Sequence, residues 1–250
     1  MLVAEHIEAL RREGGLLADA AGRAGPDAPV PTCPDWTVRD LVGHTGRVHR
    51  WAAYYVREAR PTMLADDEEG PILGDAPDDA ALLDWYRECH AALVEALEKA
   101  PADLNCWQFL AAPSPLAFWA RRQAHETAIH RADADSATGP ILGYPAGFAA
   151  DGIDELLCAF MIRSGGRLRS GTPRTLHVRA TDADADCTVH IGPESVRTER
   201  AGGAADCHLA APASEVYLAL WNRRGIDDLD VTGDRTVLDL WRSKATVRWS

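Results

Sequence analysis

Glu126 and His130 stand four residues apart in the segment WARRQAHETAIH, residues 119–130. That spacing puts a carboxylate and an imidazole on one helix face, and Glu oxygen with His nitrogen is an ordinary zinc donor set. The neighbouring His125 invites comparison with a metalloprotease helix, whose two histidines are four apart. His125 and His130 are five apart, about 140° at roughly 100° per residue, so a regular helix cannot turn both to one ion. Trp119, Arg122, Gln123, Ile129 and Asp133 project with Glu126 and His130, a polar ladder on the face that should point into a bundle. A buried polar group left unpaired costs roughly 2–7 kcal/mol, and a charge more. A metal ion would satisfy the ladder; a plain ion pair, common at this spacing, is the simpler reading.

A third ligand must come from another helix. His44 and His49 lie at opposite edges of the arc formed by Leu41, Val42, Val48, Ala52 and Tyr55, so periodicity does not choose between them. His90, beside Cys89, is a weaker candidate. Each of these also reads as an ordinary half-buried histidine.

The elements that must position these groups follow from the hydrophobic pattern. Up to about residue 165 apolar residues recur at helical spacing; beyond it come short alternating runs between Gly, Pro and Asp clusters. Helices are expected over residues 3–21, 37–59, 79–100 and 116–136, with loops at 22–34, 60–78 and 101–115. Thr37 and Asp40 fit a capping box at the start of the second. Four such helices suit a four-helix bundle. A further helix over 146–163 leads to strands at 175–180, 187–191, 206–210 and 229–232, and helices at 213–223 and 235–244, a small α+β domain. The expected domains are 1–145 and 146–250. The acidic run TDADAD at 181–186 lacks the Gly and terminal Glu of a calcium loop and reads as a solvated turn.

The bulk numbers exclude some classes. With 250 residues, 46% of them hydrophobic, the chain can build one large or two ordinary cores. A net charge of −12 is the opposite of a nucleic-acid footprint and disfavours an anionic membrane surface. The N-terminal MLVAEHIEALRREGG is interrupted by acids at once and does not read as a secretory leader, and no apolar run is long enough to span a bilayer. Cys33, Cys89, Cys106, Cys158, Cys187 and Cys207 form no CxxC pair, which reads as reduced thiols in a cytoplasmic protein.

The segments CPDWTVRDLVGHTGRVHRW, residues 33–51, and FWARRQAHETAIHRADA, residues 118–134, resemble the two signature segments of the mycothiol-dependent maleylpyruvate isomerase family, among the DinB-like metal-binding bundles of actinobacteria. The stretch ADCHLAAPASEVYLALWNRRGIDDLDVTGDRTVLDLW, residues 205–241, resembles that family's small sterol-carrier-like domain. The resemblance implies a DinB-like four-helix bundle followed by a small α+β domain. It also implies a metal site of His44, Glu126 and His130, choosing His44 over His49. Zinc is the expected ion and mycothiol the thiol co-substrate, bound at the open position that two His and one carboxylate leave. Zinc coordination would deprotonate a thiol whose pKa is otherwise about 8.5.

Trp36, Trp51 and Trp119, with Tyr54, are candidate walls for the thiol, although aromatics at helical spacing ordinarily belong to a core. Arg122, one turn before Glu126, is the candidate catalytic cation for an anionic substrate, ahead of Arg47 and Arg50; a salt bridge to Glu126 or Asp133 is its plainer role. The expectation is a zinc-dependent isomerase or S-transferase, monomer or homodimer. Its partners are a small electrophile and a low-molecular-weight thiol, not nucleic acid or membrane. A water-activating metal hydrolase and a non-enzymatic metal- or lipid-binding module are the alternatives.

Overall fold

The structure, a computed structural model, describes residues 1–163 and 167–245; the change of sequence texture near residue 165 lies outside the described residues. The chain divides into two compact units, Met1–Leu142 and Gly143–Ser250.

The first unit contains α1 (Val3–Ala24), α2 (Val38–Glu58), α3 (Asp66–Leu73), α4 (Asp79–Lys99) and α5 (Pro115–Ser136). The starts of the long helices are written in local chemistry. The Thr37 hydroxyl accepts from the Asp40 N–H, and the Asp40 carboxylate accepts from the Thr37 N–H at 2.9 Å, the predicted capping box. Asp78 and Ser114 cap α4 and α5, and Pro115 occupies the first turn of α5, where its missing N–H costs nothing. The short α3 corrects the expected loop over 60–78. Its Gly70 and Pro71 hide a helix from propensity, yet the Glu68 carboxylate accepts from the Ala65 N–H at its start.

The four long helices pack as a bundle: α1 lies against α5 and α4, and α2 against α4 and α5. Leu17, Leu41, Val42, Leu82 and Tyr86 share one buried core. Two glycines let helices approach. A Cβ on Gly46 would stand 2.3 Å from the Trp85 ring, and one on Gly14 2.3 Å from the His90 ring. Between Phe118 and Asp135, every residue of α5 except Arg121 is buried. It has no solvent face, so its polar side chains must find partners inside the protein.

The second unit opens with α6 (Ala146–Glu155), which passes into a π-helical turn at Leu156–Phe160. The helix expected to reach 163 therefore ends earlier and changes its hydrogen-bond register. The strands are β1 (Arg174–Ala180), β2 (Asp186–Ile191), β3 (Val196–Glu199), β4 (Cys207–Ala211) and β5 (Asp230–Gly233), with α7 (Ala213–Leu220) and α8 (Thr236–Lys244). Their order is β3-β2-β1-β4-β5, with β1 and β4 parallel and the other neighbours antiparallel. Leu176, Val178, Val189 and Leu209 face the core, and α7 and α8 pack on β1. β3 was not expected: its Arg197 and Glu199 are exposed, as suits an edge strand. No helix among the described residues is long and apolar enough to cross a membrane.

Candidate metal site

Helices α2 and α5 bring His44, Glu126 and His130 together. One ligand atom from each lies within 4.8 Å of the others. Both α5 groups are buried and His44 is half-buried. The rings of His44 and His130 are 5.1 Å apart and nearly perpendicular. His130 Nε2 is 3.1 Å from Glu126 Oε1; His44 Nε2 is 3.8 Å from the same oxygen, beyond hydrogen-bond reach. Two imidazole nitrogens and a carboxylate oxygen thus converge on one small volume. That donor chemistry fits a zinc-type ion.

Behind the cluster lies a second set of contacts. His130 Nδ1–H donates to Asp133 Oδ2 at 2.9 Å, and Asp133 Oδ1 accepts from the Thr32 hydroxyl at 2.6 Å. A carboxylate on the far nitrogen fixes the tautomer and leaves Nε2 for a metal. Arg122 Nη2 donates to Glu126 Oε2 at 3.3 Å, so the other oxygen, Oε1, is the one turned to the histidines. In the sequence Asp133 belongs to the ladder, and its i, i+3 spacing from His130 carries the signal of this partnership. Thr32 gave no signal at all, since it reaches Asp133 from a loop 101 residues away.

The local electrostatics follow. Burial works against a charged His130, but Asp133 and Glu126 outweigh it and push the ring up to about 9. Burial likewise opposes the Glu126 carboxylate, yet His130, His44 and Arg122 hold it well below the usual carboxylate range. His44, for which burial dominates, is lowered. The metal-free cluster therefore centres on a His130 imidazolium between two carboxylates, with His44 neutral beside it.

The other sequence candidates are placed as follows. His49 is fully buried, its Nε2 2.8 Å from the Thr127 hydroxyl and its ring 5.5 Å from those of Tyr86 and His90. His90 Nε2–H donates to the Leu10 carbonyl. Both belong to the bundle core, and burial depresses both. His125 is buried with its ring against His6. Trp36 is at the site, its ring 5.0 Å from that of His44 and stacked 6.0 Å from that of His130. Trp51 and Trp119 join Tyr55, Trp107, Phe109 and Phe118 in an aromatic cluster, and the Trp119 Nε1–H donates to the Trp107 carbonyl. Arg122 is 1% exposed and makes the salt bridge to Glu126 rather than facing solvent. Arg50 donates to the Ile72 carbonyl at the end of α3, while Arg47, one turn beyond His44, is exposed.

Comparison with known proteins bears on the whole chain. The family described as the mycothiol maleylpyruvate isomerase N-terminal domain matches residues 7–135, and the MDMPI C-terminal domain matches residues 147–240. Two solved structures, of the mycothiol-dependent maleylpyruvate isomerase and of a histidine-to-alanine mutant of it, superpose with TM-scores of 0.62 and 0.63. Each is 13% identical, over 93% of this chain and 93% of its own; at that identity the likeness speaks for the fold. No curated protein matches the sequence.

Proposed function

The chain belongs to the mycothiol maleylpyruvate isomerase family, and on that premise we propose that it is a metal-dependent enzyme using a low-molecular-weight thiol, of the isomerase or S-transferase kind. His44, Glu126 and His130 would hold a divalent ion, zinc before others. The observation that carries this reading is the convergence of their three ligand atoms within 4.8 Å, with Asp133 and Arg122 oriented behind them. Such an ion, when bound, supplies an open position at which a thiol is deprotonated near neutral pH.

The residues of the chain divide the remaining work. His130 would hold the ion through Nε2 once that nitrogen is deprotonated, with Asp133 keeping the proton on Nδ1 and so the ring in the ligating tautomer. Arg122 occupies one oxygen of Glu126 and directs the other at both imidazoles. The Trp36 indole walls one side of the pair and excludes water there. Arg47, exposed and close enough to His44 to help lower it, would offer a cation to an anionic electrophile, since a guanidinium binds a carboxylate bidentately. Mycothiol is the proposed thiol because it is the one the family description names.

Zinc-loaded protein should turn over maleylpyruvate, or another electrophile, only with mycothiol present. With cobalt in place of zinc, thiol addition should produce a sulfur–metal charge-transfer band that His44→Ala abolishes. Ester or amide hydrolysis that proceeds equally without thiol, with a cobalt spectrum indifferent to it, would replace this reading by the water-activating one.

A further inference from the structure

The sheet of the second unit carries a histidine pair that the proposed function does not use. His177 on β1 and His208 on β4 are direct register partners on parallel strands. Their neighbours Leu176, Val178, Cys207 and Leu209 are buried in the core, so the alternation of the strands puts both histidines on the opposite face. There the two Nδ1 atoms are 3.0 Å apart, with the rings nearly perpendicular. Asp186, at the start of β2, accepts from His177 Nε2–H at 2.6 Å. A Cβ on Gly202 would come within 2.8 Å of that carboxylate and 3.1 Å of His177 Nε2, so the glycine leaves room for the contact.

We propose that this face of the sheet holds a second zinc-type metal site, ligated by His177 and His208 through Nδ1. Asp186 accepts from His177 Nε2–H and so keeps the proton on that nitrogen, which leaves Nδ1 with a lone pair on the side of His208. A carboxylate on the far nitrogen is the usual support of a metal-bound histidine. It is also the arrangement that Asp133 and His130 make in the helical site.

The separation suits the ion. Zinc–nitrogen bonds of about 2.05 Å at a tetrahedral angle put two nitrogens about 3.3 Å apart, a few tenths of an ångström more than the pair now has. The His208 Nδ1 proton is the only thing the ion must displace. His177 is 16% exposed at its side chain and Asp186 45%, so the ion has a path to the pair and water can fill its remaining positions. Thr188, the register partner of His177 on β2, donates its hydroxyl to the Ala201 carbonyl and is not needed as a ligand. A simple imidazole–imidazole hydrogen bond, with Asp186 accepting from His177 Nε2–H, accounts for the same distances, and zinc titration separates the two readings.

The test is zinc titration of the full-length protein, read as bound metal per chain and as imidazole shifts in nuclear magnetic resonance spectra. Wild type should bind two zinc ions, and His208→Ala or His177→Ala one. Asp186→Asn, which keeps a hydrogen-bond acceptor but not the charge, should weaken the second binding event about 10- to 100-fold and leave the other untouched. The His44→Ala/His130→Ala protein should still bind one ion, shifting the ring protons of His177 and His208. Identical stoichiometry and affinity in wild type and His208→Ala overturns the sheet site, as does an Asp186→Asn protein that binds as wild type does. A single ion lost in His208→Ala but kept in His44→Ala upholds the sheet site and removes the helical one; the converse result removes the sheet site alone.

Discussion

Asp133 is the residue whose charge would set the strength of the proposed helical metal site. It accepts from His130 Nδ1–H and is itself held by the Thr32 hydroxyl. Asp133→Asn preserves an acceptor but removes the charge. Zinc affinity should fall about 10- to 100-fold, and in the metal-free protein the His130 value should drop from about 9 towards that of an ordinary histidine. Competition titration with a chelator and a resonance titration of the ring measure the two effects; wild-type affinity in the variant would remove Asp133 from the site. Arg122 now carries a different expectation from the one its position in sequence suggested. At 1% exposure with its guanidinium on Glu126, it is placed to hold that carboxylate rather than to face solvent. Arg122→Met should cost about 3–5 kcal/mol in the metal-free protein, because a buried carboxylate loses its partner. With zinc bound the loss should be smaller, since the ion shares the charge. Urea unfolding with and without zinc decides, and a loss of the same size in both states would place Arg122 outside the site.

At the scale of the element, α5 shows what a sequence does and does not disclose. Its Glu126–His130 ladder was legible because four-residue spacing on a helix is geometry. Its near-complete burial from Phe118 to Asp135 was not, because the helix carries Arg, Gln, His, Glu and Asp on every side, and only tertiary partners such as Glu13 for Arg131 make that tolerable. The choice among His44, His49 and His90 was equally closed to periodicity. It depends on which face of α2 meets α5, and only family resemblance singled out His44. His49 turns to Thr127, a partner with no local signature. The missed α3 and β3 have a common cause: Gly70 and Pro71 in one, and the exposed charges of Val196–Glu199 in the other, mask short elements that tertiary contacts stabilise. The glycines of the bundle give a test at this scale. Alanine in a helix interior ordinarily gains up to about 1 kcal/mol over glycine. Gly46→Ala should instead destabilise by about 1–3 kcal/mol, because its Cβ would stand 2.3 Å from Trp85. A denaturation midpoint at or above that of wild type would mean that α2 and α4 yield more readily than their packing implies.

For the molecule as a whole, the buried histidines link stability to pH. His49 and His90 are held neutral in the bundle core, with burial the leading cause in each and the shift on His49 the larger. A folded-state value below the unfolded one, about 6.5, means that the unfolded chain takes up the protons first. Their contribution is therefore complete above pH 6.5 and is lost as pH falls towards the depressed folded values. His49 alone should cost up to about 2 kcal/mol between pH 6.5 and 5, with His90 adding in the same direction. His44, also lowered by burial, adds to the loss in metal-free protein. His130 has the opposite sign. Raised to about 9, it is protonated in both states below pH 6.5 and contributes no slope there. Against a total stability of about 5–15 kcal/mol, a loss of this size should lower the urea midpoint of metal-free protein steadily from pH 6.5 to 5, before the carboxylates titrate. The control is His49→Gln, which removes the titrating ring. It should be less stable than wild type at pH 7, having disturbed the contact with Thr127, yet lose less on acidification. If both proteins lose stability with the same slope, the acid sensitivity does not originate in His49.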